Sequence, residues 1–278
     1  MTTSSVALPF QLSKTLACAL SEMQAVAGVT PEYFVATTLN SKYNNFPTTL
    51  PTAPPKISLF GIGINGYKNL NDSNLSAPYI PSASDLDLYT PLPFRVVPVT
   101  SDLAPSVRAN YRMRILQTIN GVAYWCYYLK LLSFANNQVQ ILSTNLTTGV
   151  ETPLSTLDPL NLNPVPSNTT SDGTVTSNTK TSVALTANLS ITGAEVIEAI
   201  DILYGGNLLQ SKTSEIGIYT ANDQIVSMSD GAGGTFSGNE SIYTQLAYHY
   251  TSLPTPFGDP TVVSNKSLRI NSSNAFLV

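Results

Sequence analysis

The chain has 278 residues, of which 42% are hydrophobic and only 11% charged, against roughly 25% charged in an average soluble domain. Its net charge is −4 and its pI about 4.9, which argues against nucleic acid as a main partner, because phosphate binding needs clustered Lys and Arg. No apolar run reaches the roughly 18 residues of a membrane span, so the sequence points to neither direct nucleic-acid readout nor membrane insertion.

Ser, Thr, Asn and Pro take the place of the missing charge. Neutral hydroxyls and amides are cheaper to desolvate than ions, so such a surface suits broad subunit contacts. A secreted or adhesive surface has the same composition. Met1 to Leu20 lacks a basic stretch followed by an apolar core, so no signal peptide is expected.

The first element, Pro9 to Ala27, reads as an amphipathic helix with Leu12, Leu16, Leu20 and Met23 on one stripe and Gly28 at its stop. Residues 1–56, this helix and a Pro-rich arm from Phe46 to Lys56, read as one region. Residues 57–278 read as a β-rich core. A short strand, Ile57 to Phe60, runs into Gly61-Ile62-Gly63-Ile64-Asn65-Gly66, and a second extended stretch spans Phe94 to Val99.

Asn120-Gly121 lies between two β-prone runs, Tyr111 to Ile119 and Val122 to Phe134. This is a strong hairpin signal, because both central residues of a type I′ turn need positive φ. With Val139 to Ser143 and a turn at Asn145 to Gly149, the stretch Arg112 to Thr152 reads as a β-meander. Leu157 to Thr181 is rich in Pro, Asn, Ser and Thr and reads as an inserted loop or arm. Val183, Leu185, Ala187, Leu189 and Ile191 alternate as a half-buried strand.

Thr192-Gly193-Ala194-Glu195 is a capping box opening a helix to about Tyr204. Strands follow at Glu215 to Thr220, Gln224 to Ser229, Ile242 to Tyr250 and Ser267 to Ile270. The fold class is therefore mainly β with a few helices (α+β). We expect an antiparallel, sandwich-like core, an N-terminal helix, one capped helix near 193–204, and extended arms.

The residues that could carry chemistry do not converge in sequence. Gly61, Gly63 and Gly66 match the dinucleotide fingerprint, but that motif works only where the third glycine opens a helix. Tyr67 to Ser73 has no helical stripe, so these glycines read as sites of tight backbone packing. His249 is the single histidine, without ligands at metal-site spacings, and reads as structural. Asp72, Asp85 and Asp87 are the candidate Ca²⁺ ligands, but without a loop pattern closed by Glu they read as turn or capping residues.

Nothing singles out a glycosidase-like pair among the 17 acidic residues. Cys18 and Cys126 read as buried thiols of a reducing compartment, with a disulfide between them left open. Arg108, Arg112 and Arg114 read as a solvated or interface face. Tyr124-Trp125-Cys126-Tyr127-Tyr128 reads as a core or interface strand, with a sugar platform as the alternative. No catalytic, cofactor-binding or metal-binding residue is assigned, and no enzyme activity is expected.

Two ordered sets of segments carry a resemblance. One runs from Phe60-Gly61-Ile62-Gly63-Ile64-Asn65-Gly66 through Leu88 to Phe94, Arg108 to Arg114 and Ile119 to Lys130. The other comprises Glu215 to Tyr219, Asp230 to Phe236, Asn239-Glu240 and Gln245 to Ala247. In this order they resemble a family of tailed-bacteriophage virion structural proteins. The resemblance implies a particle component without catalytic residues, assembled in the host cytoplasm and located in the virion. Its partners would be portal or connector, tail or baseplate subunits. A homo-oligomeric ring or clamp in the neck or collar is expected, since tail-axis proteins form closed rotational assemblies. The alternative is a baseplate or tail-tip component, including a carbohydrate-binding module.

Overall fold

The structure is a computed structural model that describes residues 10–29, 55–69, 76–145, 147–154, 179–207 and 211–271. Both expected arms fall largely outside these residues. The chain is mainly β with few helices, and its sheets are antiparallel.

It forms two compact units, Met1–Leu132 with Ile191–Ser264, and Ser133–Ser190 with Asn265–Val278. The first contains β1 (Phe10–Lys14), α1 (Leu16–Ala27), β2 (Lys56–Gly63), β3 (Tyr67–Asn69), β4 (Ser76–Pro78), β5 (Pro91–Leu92) and β6 (Arg95–Pro98). It continues with α2 (Pro105–Arg108), β7 (Tyr111–Ile119) and β8 (Val122–Leu131). The second is built from β9 (Ser133–Asn145), β10 (Glu151–Leu154) and most of β11 (Thr179–Thr192). The chain then returns to the first unit with α3 (Gly193–Tyr204), β12 (Lys212–Ser229) and β13 (Thr235–Pro256), and β14 (Val263–Asn271) belongs from Asn265 onward to the second.

An eight-stranded sheet organises the first unit, in the order β1-β13-β12-β2-β8-β6, with β5 joined to β2 and β7 to β8. Its spine is the long β12–β13 hairpin, closed by Asp230, whose Oδ1 accepts the Ala232 and Gly234 N–H groups at 2.8 Å. Ala221 to Asp223, expected to separate two strands, lies inside β12. Between Asn222↔Ile242 and Thr220↔Gln245, Tyr243 and Thr244 of β13 oppose one residue, and Tyr243 takes a φ of 53° at this bulge. Such bulges bend and twist a long hairpin. Buried Phe60, Ile62, Phe94, Tyr127, Tyr219 and Leu246 contribute to the core.

The Asn-Gly hairpin is present, with Asn120 at φ 50°, Gly121 at φ 81° and Ile119 paired with Val122. The meander is not. β8 ends in the eight-stranded sheet, whereas β9 starts a four-stranded sheet of order β10-β9-β11-β14. The Asn145 to Gly149 turn does return β9 into β10 as a second hairpin.

The alternation read in β11 holds from Ala187 to Ile191, where Ala187, Leu189 and Ile191 are buried. A register shift between Leu185 and Ala187 inverts it upstream, so Ala184 is buried and Val183 exposed. Across the shift two residues of β11 span five of β9, and an odd mismatch swaps the faces of a strand, because its side-chain period is two.

The N-terminal element differs from the single helix expected. Phe10–Lys14 pairs with Ser252–Tyr248 of β13, and the helix begins only after Thr15. The Thr15 side chain accepts the Cys18 N–H at 3.2 Å and donates to the Leu246 carbonyl at 2.5 Å, while its N–H reaches the Ala247 carbonyl. The same residue thus caps α1 and ties it to β13. Gly28, in the left-handed conformation, ends the helix as expected.

Candidate functional site

Three places in the first unit gather chemistry or unused apolar surface. The first is a cleft of about 440 Å³ between α3 and strands β6 to β8. Thr192 opens α3 with a full capping box: its hydroxyl accepts the Glu195 N–H at 3.2 Å, and Glu195 Oε2 accepts the Thr192 N–H at 2.9 Å. This fixes Glu195 and, one turn on, Glu198 along the cleft. Glu195 Oε1 accepts Lys130 Nζ and the Tyr111 hydroxyl, both at 2.7 Å. Glu198 accepts Arg95 Nε at 3.1 and 3.2 Å and the Val96 N–H at 2.8 Å.

Two cations thus face two carboxylates. Burial and the neighbouring Glu195 push the Tyr111 phenol well above its usual value, so it stays a donor. Each carboxylate is occupied by a cation and further donors, an arrangement that locks α3 onto the sheet. The i, i+3 spacing of Glu195 and Glu198 is the sequence signal for this pair, beside the role of Glu195 in the capping box.

The second place is a buried polar cluster around His249. Its Nδ1 lies 2.8 Å from Asp85 Oδ2 and its Nε2 lies 3.5 Å from Glu215 Oε2. Glu215 also accepts the Asn65 and Tyr89 N–H groups at 2.7 Å each. Asp87 accepts the Leu88 N–H at 2.8 Å and the Tyr219 hydroxyl at 3.0 Å. Asp85 and Asp87 therefore serve as turn and packing acceptors, while Asp72 lies outside the described residues. The described residues contain no group of three or more His, Cys, Asp or Glu arranged to hold a metal ion.

Gly61, Gly63 and Gly66 border this cluster. The chain continues from Gly66 into β3 and not into a helix. A Cβ on Gly61 would lie 3.1 Å from Leu129 Cδ2, one on Gly63 2.8 Å from the Thr90 carbonyl oxygen, and one on Gly66 would overlap the Ser214 carbonyl. The fingerprint match reflects backbone packing.

The arginines are drawn inward and do not form a solvated face. Arg112 pairs with Asp223 at 2.8 Å, and Arg114 pairs with Asp102 at 2.7 Å while its guanidinium lies 3.4 Å above the Trp125 ring. Trp125, Tyr127 and Tyr128 are buried, which withdraws them from any sugar platform. Cys18 and Cys126 are buried free thiols, pushed up to about 11 and about 12, chiefly by burial.

The third place is the outer surface of β1 and α1. The apolar stripe read from the sequence faces solvent along the helix: Leu16 is 65%, Leu20 40% and Met23 61% exposed, and Val26, outside that stripe, is 82% exposed. Cys18, one face away, is the buried contact. Phe10 and Leu12 of β1 are also exposed, and Phe10 stacks on Tyr250 at 5.5 Å. Lys14 and Glu22 pair with each other, so this surface carries little net charge. The Leu16 N–H donates to the Ala83 carbonyl at 2.8 Å, which brings the 79–89 loop alongside. That loop exposes Ile80 and Leu86.

No described helix is long and apolar enough to cross a membrane. No curated protein and no solved structure matches the chain. The sequence profile of a family described as "Family of unknown function (DUF7208)" matches residues 2–257. That match spans most of the chain and both compact units, and the chain belongs to this family of unknown function.

Proposed function

We propose that the protein is a structural component of a tailed-bacteriophage virion that works through subunit–subunit contacts, as a ring or clamp in the neck or collar. The observation that carries this reading is the exposed apolar stripe of α1, Leu16, Leu20 and Met23, with Val26 and with exposed Phe10 and Leu12 of β1 beside it. Fully burying one such side chain is worth roughly 1.5–3 kcal/mol, so a partner covering the stripe gains several such increments. The ionisable groups support the same reading. Glu195, Glu198, Lys130 and Arg95 pair across a cleft, and Arg112 and Arg114 pair inside the unit. The particle is named by the resemblance of the ordered segments between Phe60 and Ala247.

Mass spectrometry of purified virions, with cryo-electron microscopy to place the subunit, tests this. Density for the chain as a ring at the neck supports the proposal. Density at the baseplate or tail tip moves the subunit to the alternative location. Absence from purified particles overturns the reading.

A further inference from the structure

His249 is wholly buried, and both of its ring nitrogens face carboxylates. Asp85 Oδ2, 2.8 Å from Nδ1, also accepts the Ser82 N–H at 2.9 Å and the Tyr89 hydroxyl at 3.3 Å. Glu215, wholly buried, holds the Asn65 and Tyr89 N–H groups, and its Oε2 faces Nε2 at 3.5 Å. The Tyr89 ring packs edge-on against the imidazole at 4.7 Å. The two carboxylates thus hold the Asn65 turn and the 82–89 loop, and the imidazole lies between them on β13.

A neutral imidazole has one N–H and one lone pair. With the proton on Nδ1, the Nε2 lone pair faces an oxygen of Glu215. With the proton on Nε2, a lone pair faces Asp85 Oδ2 at 2.8 Å, a repulsive contact between two acceptors. Only the imidazolium presents a donor to each side. We infer that His249 is a proton-operated clamp: as the imidazolium it holds the 82–89 loop and the Asn65 turn against the β12–β13 hairpin, and its deprotonation loosens both.

Burial pushes the His249 pKa down, but its interactions with Glu215 and Asp85 outweigh burial and leave it above the ordinary value. A pKa raised by folding gives stabilisation that is fully present below the unfolded value of about 6.5 and is lost as pH rises through the folded value. The clamp is therefore closed on the acid side and opens on the alkaline side.

The other titratable groups around it are Asp85, Asp87, Tyr79 and Tyr89 on the loop, Glu215 and Tyr219 on β12, Tyr248 and Tyr250 on β13, and the Lys14–Glu22 pair on β1 and α1. Tyr89 is pushed up to about 12, mainly by burial and Asp85, and Tyr248 and Tyr250 are also raised, by burial first. These phenols stay neutral over the range in which an imidazole titrates.

Because His249 is the only histidine, its imidazole nitrogens give an unambiguous NMR titration in the full chain. The expected result is two protonated nitrogens at pH 6 and a single transition above 6.5. Between the unfolded value of about 6.5 and that transition, hydrogen-exchange protection of the Asn65 and Tyr89 amides, corrected for the intrinsic pH dependence, falls by about tenfold per pH unit. In His249→Gln that protection is low and independent of pH. If the variant does not fold, the wild-type titration decides alone. A neutral imidazole at pH 6, or amide protection unchanged between pH 6.5 and the His249 transition, overturns the inference.

Discussion

Glu240 is a buried carboxylate that accepts three backbone amides, Met113 and Ser241 at 2.7 Å and Arg114 at 3.1 Å, and the Ser241 hydroxyl at 3.4 Å. Met113 sits at φ 55°, a conformation that a non-glycine residue keeps only when its surroundings enforce it. The carboxylate supplies that enforcement and also satisfies two amides of β7. Burial raises the Glu240 pKa despite these donors, so the cost of its buried charge appears as pH rises through the folded value. Glu240→Ala leaves the three amides unsatisfied and should lower stability by at least about 3 kcal/mol, read as a lower midpoint in urea unfolding. An unchanged midpoint would show that water replaces the carboxylate. The two cysteines make a second residue-scale test. Buried and held protonated, they should resist a thiol reagent in the native protein at pH 7.5 and react fully after denaturation. Rapid native reaction of either would contradict the burial described.

At the scale of elements, signals that act over a few residues were legible in the sequence. The Asn120-Gly121 turn, the Thr192–Glu195 box and the Gly28 stop all appear where the sequence places them. Thr192→Ala should cost about 1 kcal/mol through loss of the cap. Gly66→Ala should cost about 1–3 kcal/mol, because the added methyl meets the Ser214 carbonyl. Chemical denaturation measures both, and a Gly66→Ala protein as stable as wild type would refute the close approach. Readings that depended on pairing across the chain went differently. The N-terminal helix lost its first residues to β1 because β13 offered an edge to Phe10–Lys14. The meander divided at Leu132 and Ser133 because β9 paired with β10 and β11 in place of β8.

For the whole molecule, the exposed α1 stripe gives the test that bears on assembly. Met23→Gln with Val26→Gln keeps the charge of the surface and removes much of its apolar area. The expected outcome is a stability change within about 0.5 kcal/mol, as for ordinary surface positions, together with loss of incorporation into virions. A large fall in stability would mean that the stripe is covered within its own subunit. Full incorporation would remove α1 from the assembly surface.

The sequence by itself determined the β-rich class, the local turns and caps, and the burial of both thiols, because each follows from neighbours in the chain or from composition. The tertiary structure decided which charges meet. His249 reaches Asp85 across 164 residues, Glu240 reaches Met113 across 127, and Arg112 reaches Asp223 across 111. A side chain's hydrogen bonds and ionisation depend on what lies within a few ångströms, and those distances exist only once β2, β7, β12 and β13 are brought together. The same holds for the stripe on α1: periodicity shows that a helix has an apolar face, but the sheet, through Thr15 and Cys18, selects which face it covers.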